Sequence, residues 1–278
     1  MAWCTGEAHA TIGELKNTRP LALITGASSG IGAVFASALA ARGYDLLLTA
    51  RRKDRLEELA RSLAAHGTVA EPLEADLATD DGIAQVERRI QAVQNLDLLV
   101  NNAGFATRGR FFSTAVEGQD RMHRLHVVAT VRLTHAALRG MVERARGGII
   151  NVSSVAAYRR APGSVSYCAT KCWMNAFTEG LALELRAAGS PVKVQALCPG
   201  YTLTEFHDAA GIDRNKIAAP LWMSAEKVVA ASLAGLDRGM LIVIPGWQYK
   251  AAAFLLRHMP QWLLDWFAIA ESRQRARD

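Results

Sequence analysis

The sequence predicts an α/β fold in which one doubly wound, mostly parallel sheet forms a single domain. Short segments that are apolar throughout alternate with amphipathic segments of helical length over most of the chain. Strands of this kind are typical of a parallel sheet that helices cover on both faces. The first apolar segment, residues 21–25, leads directly into a glycine-rich turn and a helix, which is how a nucleotide-binding βαβ unit begins.

Each strand and helix follows from its local pattern. The strands are short runs of Leu, Ile, Val and Ala, such as LALIT and DLLLTA, and the helices between them are amphipathic. Right-handed crossovers would bring the strands together side by side. The predicted strands lie at 21–25, 45–50, 68–74, 96–100, 148–153, 192–198 and 241–244, and the helices run from the glycine turn to Arg42 and over 53–65, 80–93, 119–143 and 166–187.

The domain organisation is simple. The chain has 278 residues, half of them hydrophobic, which suffices for one complete core. Residues 1–19 are expected to form a lead-in and residues 20–246 the main domain. Residues 247–278 are expected to add a C-terminal extension of two short helices, separated at Pro260 and rich in aromatic residues.

Composition argues against several classes of protein. The net charge of +6 is small and spread out, so no nucleic-acid partner is expected. The chain shows neither a secretory signal nor an apolar run approaching the roughly 18 residues that span a bilayer. We therefore expect a cytoplasmic protein that holds no metal. The four cysteines, which lack the spacing of a metal site or a disulfide framework, are Cys4, Cys168, Cys172 and Cys198.

The turn after the first strand reads TGASSGIG. Between a strand and a helix, such a turn presents backbone N–H groups and the positive helix end to a phosphate. Gly26 would permit the tight turn, Gly30 a close backbone approach and Gly32 close packing of the helix. The turn therefore predicts a Rossmann-like dinucleotide site, to which we assign Gly26, Ser28, Ser29, Gly30, Ile31 and Gly32.

Four motifs in order resemble those of the short-chain dehydrogenase/reductase family. TGASSGIG is similar to its cofactor turn, and the NNAG at 101–104 follows the fourth strand as in that family. A serine pair followed by YxxxK, and then Pro-Gly at 199–200, continue the likeness over roughly residues 20 to 245. The resemblance implies a hydride-transfer enzyme, and it implies cofactor contacts from Asp76, Leu77, Asn102, Ala103, Gly104, Tyr167, Lys171, Pro199, Gly200, Thr202 and Thr204.

The end of the second strand predicts NADP(H) rather than NAD(H). An NAD site usually has an acidic residue there to bind the ribose hydroxyls, whereas this chain has Ala50 followed by Arg51 and Arg52. A guanidinium binds the 2′-phosphate of NADP, which a carboxylate would repel. We expect Arg51 to be the principal ligand and Arg52 a secondary one, although both would also suit a solvated helix start. Asp76 would contact the adenine, or would serve only as a helix cap.

Three residues would carry the chemistry. Tyr167 and Lys171 lie four apart and so share one face of a helix, and Ser154 follows the fifth strand at the edge where ligands bind. Tyr167 would exchange a proton with the carbonyl or alcohol oxygen of the substrate, and Ser154 would hydrogen-bond that oxygen. A neighbouring ammonium and an oxidised nicotinamide would lower the pKa of Tyr167. By the resemblance, Lys171 would also hold the nicotinamide ribose.

One position departs from the family. Its members commonly place an asparagine in the helix after the fourth strand, where it holds a water of a proton relay. Here His126 occupies that position. An imidazole both donates and accepts hydrogen bonds and titrates near neutrality, so His126 would serve the relay. Alternatively, it only packs at a helix interface.

The substrate region predicts a hydrophobic carbonyl compound or alcohol. In the family the segment after Pro199 forms a lid, and here that segment is rich in apolar residues. The extension would seal the substrate pocket, form a subunit contact or make a weak peripheral contact with a membrane. A homodimer or homotetramer is expected from the family. The apolar residues of the lid segment are Phe206, Ala209, Ala210, Ile212, Ile217, Leu221, Trp222 and Met223.

A different class of function remains compatible with the cofactor turn alone, namely a protein that senses NADP(H) or acts as a scaffold without turnover. Ser154, Tyr167 and Lys171 argue against it, because a sensor has no chemical need for them. His126 is the one feature that favours it.

Overall fold

A seven-stranded parallel sheet forms the centre of the protein, with the strand order β3-β2-β1-β4-β5-β6-β7. The computed structural model describes residues 19–275 except 66, 207–210, 212 and 214–216, so most of the expected lead-in lies outside the described residues. The doubly wound fold predicted from the sequence is confirmed. The strands are β1 (Leu21–Thr25), β2 (Asp45–Ala50), β3 (Ala70–Glu74), β4 (Leu96–Asn101), β5 (Gly148–Val152), β6 (Lys193–Leu197) and β7 (Ile242–Val243).

Helices cover both faces of the sheet. Side chains alternate along each strand, so Ala22 and Ile24 pack on one face while Leu21 and Leu23 pack on the other. Helices α1, α2 and α7 cover the first face, and α3, α5 and α6 cover the second. The helices are α1 (Gly30–Ala41), α2 (Lys53–Ala64), α3 (Asp80–Gln91), α4 (Val116–His123), α5 (Ala129–Glu143), α6 (Val165–Ala187), α7 (Ala225–Asp237), α8 (Trp247–His258) and α9 (Gln261–Arg275).

Three elements differ most from the expectation, and one of them, helix α7 (Ala225–Asp237), was not predicted from the sequence. The helix expected at 119–143 begins at Val116 and contains a π-helical turn, Arg124–Val128, which separates α4 from α5. Single π turns of this kind are frequent at functional sites. Strand β3 is shorter than expected and lies at the edge of the sheet. A proline cannot donate a hydrogen bond to a neighbouring strand, so Pro72 is tolerated there, where one side of the strand has no neighbour.

The order of the strands reverses beside β1. The chain proceeds from β1 outward to β3, then returns to place β4 on the other side of β1. In such sheets the loops that leave β1 and β4 diverge and open a crevice at the carboxyl ends of the strands. The glycine turn and residues 102–104 both lie at this crevice.

The C-terminal extension forms two helices that Pro260 separates, as expected. Helix α8 buries Tyr249 and Ala253, while most of the aromatic residues of the extension are exposed. Within the described part of the chain, no helix is long and apolar enough to cross a membrane. The large exposed apolar residues of the extension are Trp247, Phe254, Leu255, Trp262, Trp266, Phe267 and Ile269.

Candidate active site

The glycine turn has the backbone geometry of a phosphate cradle. Gly26 and Gly30 have φ angles of +67° and +56°, a region that favours glycine. A Cβ on Gly26 would lie 2.9 Å from the Cα of Ala103. Gly32 lies buried in the first turn of α1, packed on the carbonyl of Gly26. The turn is therefore narrow at its glycines, where only the backbone can approach a ligand.

The loop after β4 is fastened directly to this turn. The Nδ2 of Asn102 donates to the carbonyl of Thr25 at 2.8 Å and to that of Gly26 at 3.2 Å. The Oγ1 of Thr25 accepts hydrogen bonds from the N–H groups of Asn102 and Ala103 at 2.9 and 3.0 Å. Sequence reasoning did not single out Thr25, whose side chain joins the two edges of the crevice.

The two arginines after β2 take different directions. Arg52 donates from its NH2 to the Oγ atoms of Ser28 and Ser29 at 3.0 and 2.8 Å, and from Nε to Ser28 at 3.2 Å. Arg51 is exposed and is near enough to Asp76 to help lower the pKa of that carboxyl. These contacts favour Arg52 over Arg51 as the cation of the glycine turn, the reverse of the order expected from the sequence.

Asp76 is held beside the second strand by two partners. Burial opposes its ionisation, but hydrogen bonds from the N–H of Ala78 and from Arg121 hold the pKa of Asp76 below its usual value. It is not a helix cap, because the side chain of Thr79 caps α3 by accepting from the N–H of Gly82. Leu77 is buried next to it.

Ser154, Tyr167 and Lys171 converge at the carboxyl end of β5. The Ser154 hydroxyl is hydrogen-bonded to Tyr167 and accepts from the N–H of Ala156 at 3.1 Å. Lys171 is buried, its Nζ donates to the carbonyl of Val152 at 2.7 Å, and it lies 5.9 Å from the ring centre of Tyr167. The serine and the phenol thus meet at one point, with the ammonium behind them.

Burial dominates the protonation of this group. It raises the pKa of Tyr167 to about 12, against a smaller lowering by the Ser154 hydroxyl, and it lowers the pKa of Lys171 to about 8. In the chain by itself, burial outweighs the lowering of the pKa of Tyr167 that was expected from Lys171, whose Nζ donates to the carbonyl of Val152; the lowering with an oxidised nicotinamide bound stays a prediction. Near neutral pH the phenol carries its proton.

A buried polar network joins the carboxyl ends of β4 and β5 to the helices behind them. Asn101, at the end of β4, donates to Thr134 at 3.1 Å and to Asn151 at 2.9 Å. Asn151 in turn donates to Thr178 of α6 at 2.9 Å. Because these polar groups are fully paired inside the core, they fix β4, β5 and the helices α5 and α6 relative to one another.

His126 lies in the π turn and is completely buried. Its Nδ1 is 3.0 Å from the Oγ1 of Thr170, whose single hydroxyl proton is donated to the carbonyl of Tyr167. Thr170 must therefore accept from Nδ1, so Nε2 carries the lone pair. Among the residues that the structure describes, Nε2 has no hydrogen-bond partner, and a Cβ on Gly104 would lie 2.8 Å from it.

The imidazole of His126 faces the ring of Tyr167. The ring centres of His126 and Tyr167 are 6.0 Å apart, in an edge-to-face arrangement. Burial, followed by the charges of Lys171 and His123, holds the pKa of His126 well below its usual value. The expectation that this residue titrates near neutrality is wrong, because the buried ring stays neutral there.

The loop after β6 closes over the turn. The side chain of Thr204 lies 3.0 Å from where a Cβ on Gly30 would be, and buried Thr202 pairs with Met223. Gly200 has room for no side chain because the ring of Tyr249 occupies that space, while the carbonyl of Pro199 accepts from the N–H of Val155 at 3.0 Å. The expected lid residues Ala209, Ala210 and Ile212 lie outside the described residues.

Aromatic rings lie beside both Tyr167 and His126. The ring of Phe206 lies 6.0 Å from that of Tyr167, and the ring of Phe105 lies 6.4 Å from that of His126. Sequence reasoning missed Phe105, although its place directly after the NNAG motif was a usable signal. It also missed Tyr249, whose hydroxyl donates to the carbonyl of Leu221 and accepts from the N–H of Tyr201.

Known proteins share both the sequence and this architecture. Residues 20–215 match the family described as short chain dehydrogenase. An uncharacterized oxidoreductase of Myxococcus xanthus is 31% identical over 245 residues, which cover 88% of this chain and 94% of that protein.

Two solved structures are also similar. A short-chain dehydrogenase from Sphingobium yanoikuyae, in complex with NADPH, is 38% identical, with a TM-score of 0.77 over 92% of this chain and 94% of that one. The bulky-bulky ketone specific alcohol dehydrogenase from Comamonas testosteroni is 33% identical, with a TM-score of 0.73 over 87% of this chain and 95% of that one.

Proposed function

Because this chain belongs to the short-chain dehydrogenase/reductase family, we propose that it interconverts a bulky hydrophobic ketone and its alcohol, with NADP(H) as cofactor. It is an oxidoreductase that transfers a hydride, and a nicotinamide dinucleotide is its cofactor. The observation that carries the proposal is the convergence of Ser154, Tyr167 and Lys171 beside the glycine turn.

The crevice fits a phosphorylated dinucleotide. The narrow turn at Gly26 and Gly30 suits a pyrophosphate, which would accept from its backbone N–H groups. The Ser28 and Ser29 hydroxyls, together with Arg52, form a polar and cationic group at the far end of the turn, where the 2′-phosphate would bind. This arrangement, and the NADPH in the Sphingobium structure, support NADP(H) over NAD(H).

The side chains of this chain supply the proton, and the nicotinamide when bound supplies or accepts the hydride. A phenol that keeps its proton near neutral pH is suited to donate it to a carbonyl oxygen as negative charge develops there. Ser154, which already bonds the tyrosine hydroxyl, would hydrogen-bond the same oxygen. Lys171 would hold the nicotinamide ribose and return a proton to Tyr167.

His126 would complete the proton path. Its Nε2 lone pair is buried beside Gly104, in a ring that packs against Tyr167, and a buried acceptor is costly unless something bonds to it. A water held there would connect Nε2 with Lys171 and so link the site to solvent. Because Thr170 fixes Nδ1 as the donor, Nε2 is always in the form that accepts.

The lining of the site supports a large apolar substrate. The ring of Phe206 lies beside Tyr167 and that of Phe105 beside His126, and the exposed apolar residues Phe111, Phe112 and Leu203 belong to the segments at the same edge of the sheet. The Comamonas enzyme is described as specific for bulky-bulky ketones. We extend that substrate class to this chain.

The exposed aromatic residues of the C-terminal extension suit an interface between subunits. Members of the family generally form oligomers, and we propose a homodimer or homotetramer in which the exposed aromatic residues of the extension are covered by a second subunit. A weak contact of the same helices with a membrane surface is the second possibility. A cytoplasmic location stays a prediction.

The test is an NADPH-oxidation screen of the purified full chain against ketones that carry bulky groups on both sides of the carbonyl. Turnover of such ketones above that of small ones is expected, with Tyr167→Phe as the inactive control. Turnover restricted to small aldehydes would refute the substrate class, and equal use of NADH would refute the cofactor.

A further inference from the structure

A carboxylate from the loop after β6 occupies the arginine group beside the glycine turn. Glu205 follows Thr204, and its two oxygens bond to different arginines. Oε2 accepts from the NH1 of Arg52 at 2.9 Å, and Oε1 accepts from the NH1 of Arg55 at 2.6 Å. Arg55 lies about one helical turn after Arg52, so both side chains reach Glu205 from the same side of α2.

Arg52 also donates to the serines of the glycine turn. Arg52 places Nε and NH2 on Ser28 and Ser29 while NH1 binds Glu205. Two guanidinium groups therefore hold a single carboxylate, and one of them, Arg52, also donates to two serine hydroxyls. The hydrogen bonds from Arg55 and Arg52 hold the pKa of Glu205 below its usual value, so it is charged at neutral pH.

We propose that Glu205 is an internal competitor for the 2′-phosphate, which must displace this carboxylate from the arginines to bind. The inference rests on the proposed NADP(H) function, because it places that phosphate on Arg52 and the two serines. A carboxylate and a phosphate repel each other at one cationic group. Glu205 therefore lowers the affinity of the site for nucleotides that carry a 2′-phosphate and leaves those without a 2′-phosphate unaffected.

Displacement is feasible because these ion pairs are weak. The side chains of Glu205, Arg52 and Arg55 are 52%, 41% and 42% exposed, and exposed ion pairs add little stability. A phosphate carries more charge and more acceptor oxygens than a carboxylate. The 2′-phosphate would therefore displace Glu205 from the guanidinium groups of Arg52 and Arg55.

The position of Glu205 connects this exchange to the loop over the active site. Its neighbour Thr204 packs on Gly30 of the turn, and Phe206 packs on the ring of Tyr167. Release of Glu205 from the arginines frees this segment from α2 at the moment when the cofactor binds. The residue thereby couples the recognition of the phosphate to the loop that contacts the catalytic tyrosine.

The test compares two probes that differ only in the 2′-phosphate, 2′,5′-ADP and 5′-AMP, titrated by calorimetry into the full chain. Glu205→Gln keeps the size of the side chain and removes its charge. We expect it to bind 2′,5′-ADP about three- to tenfold more tightly than wild type and 5′-AMP equally well. Glu57→Gln, on the same helix and paired with Lys53, is the matched control and should change neither affinity.

The outcomes separate the two proposals. If Arg52→Ala loses the preference for 2′,5′-ADP while Glu205→Gln binds it no more tightly than wild type, the cofactor assignment stands and the competitor role is refuted. If wild type binds 2′,5′-ADP no better than 5′-AMP, the NADP(H) assignment fails and the role of Glu205 fails with it.

Discussion

Replacing His126 by leucine separates a role in proton transfer from a role in packing. The imidazole is fully buried, with one hydrogen bond to Thr170 and an Nε2 that has no partner within the described chain. Leucine loses the hydrogen bond to Thr170, which costs about 0.5–1.5 kcal/mol of stability. It also removes the buried Nε2, and this relieves the penalty of about 1–3 kcal/mol for an unpaired polar atom. The free energy of unfolding should therefore stay within about 1 kcal/mol of wild type, or rise.

The rate should respond differently. If Nε2 bonds a water of the relay, its loss removes a hydrogen bond worth roughly 1.5–3 kcal/mol during proton transfer, which slows the reaction about ten- to a hundredfold. His126→Asn restores a polar group and should keep most of the activity. Packing alone predicts the opposite order, since leucine fills an apolar site better than asparagine.

The assay combines single-turnover hydride transfer, followed by NADPH fluorescence, with urea unfolding of the same variants. Since the pKa of His126 lies well below its usual value, wild type should show no kinetic pKa near pH 6.5 from this residue. A leucine variant that is stable and as fast as wild type would end the relay hypothesis. An inflection near pH 6.5 that His126→Asn abolishes would contradict the buried, neutral imidazole.

Four further changes test the rest of the site. Tyr167→Phe should abolish turnover and leave NADPH binding nearly intact, measured by titration. The pKa of Lys171 is about 8 in the folded chain against 10.5 ordinarily, so unfolding takes up protons between those pH values. The free energy of unfolding of wild type, compared with that of Lys171→Met, should therefore rise by up to about 3 kcal/mol from pH 8 to 10.5. A difference between the two proteins that does not change with pH would contradict the burial of Lys171. Arg52→Ala should weaken NADPH more than Arg51→Ala does, with NADH as the control. Truncation after Gly246 removes Tyr249, so lower stability is expected in urea, and an unchanged midpoint would make the extension dispensable.

The order of strands and helices could be predicted because each carries its own signal in consecutive residues. The segment LALIT, buried throughout, and the turn TGASSGIG are examples, since hydrophobic runs and glycines act locally. The positions of Ser154, Tyr167 and Lys171 also followed, because helical spacing and the end of a strand bring them to one edge.

Contacts between distant segments could not be predicted in this way. Arg51 and Arg52 are neighbours with identical side chains, and only the direction of the chain at the start of α2 decides which one meets the serines. Glu205 is remote in sequence from the arginines it binds. The pKa of Tyr167 likewise depended on burial, which outweighed the charge that spacing alone suggested.

The π turn at Arg124–Val128 determines which side chain of this helix lies opposite Tyr167. A π turn accommodates one more residue than the α turn it replaces, and each residue of an α-helix rotates the following ones by roughly 100°. A relative without the extra residue would present a different side chain opposite Tyr167 wherever the one-residue gap is placed outside this turn. Equivalence at His126 should thus be assigned by superposition, and deleting one residue here would turn Gln119 and Met122 of α4 out of the core.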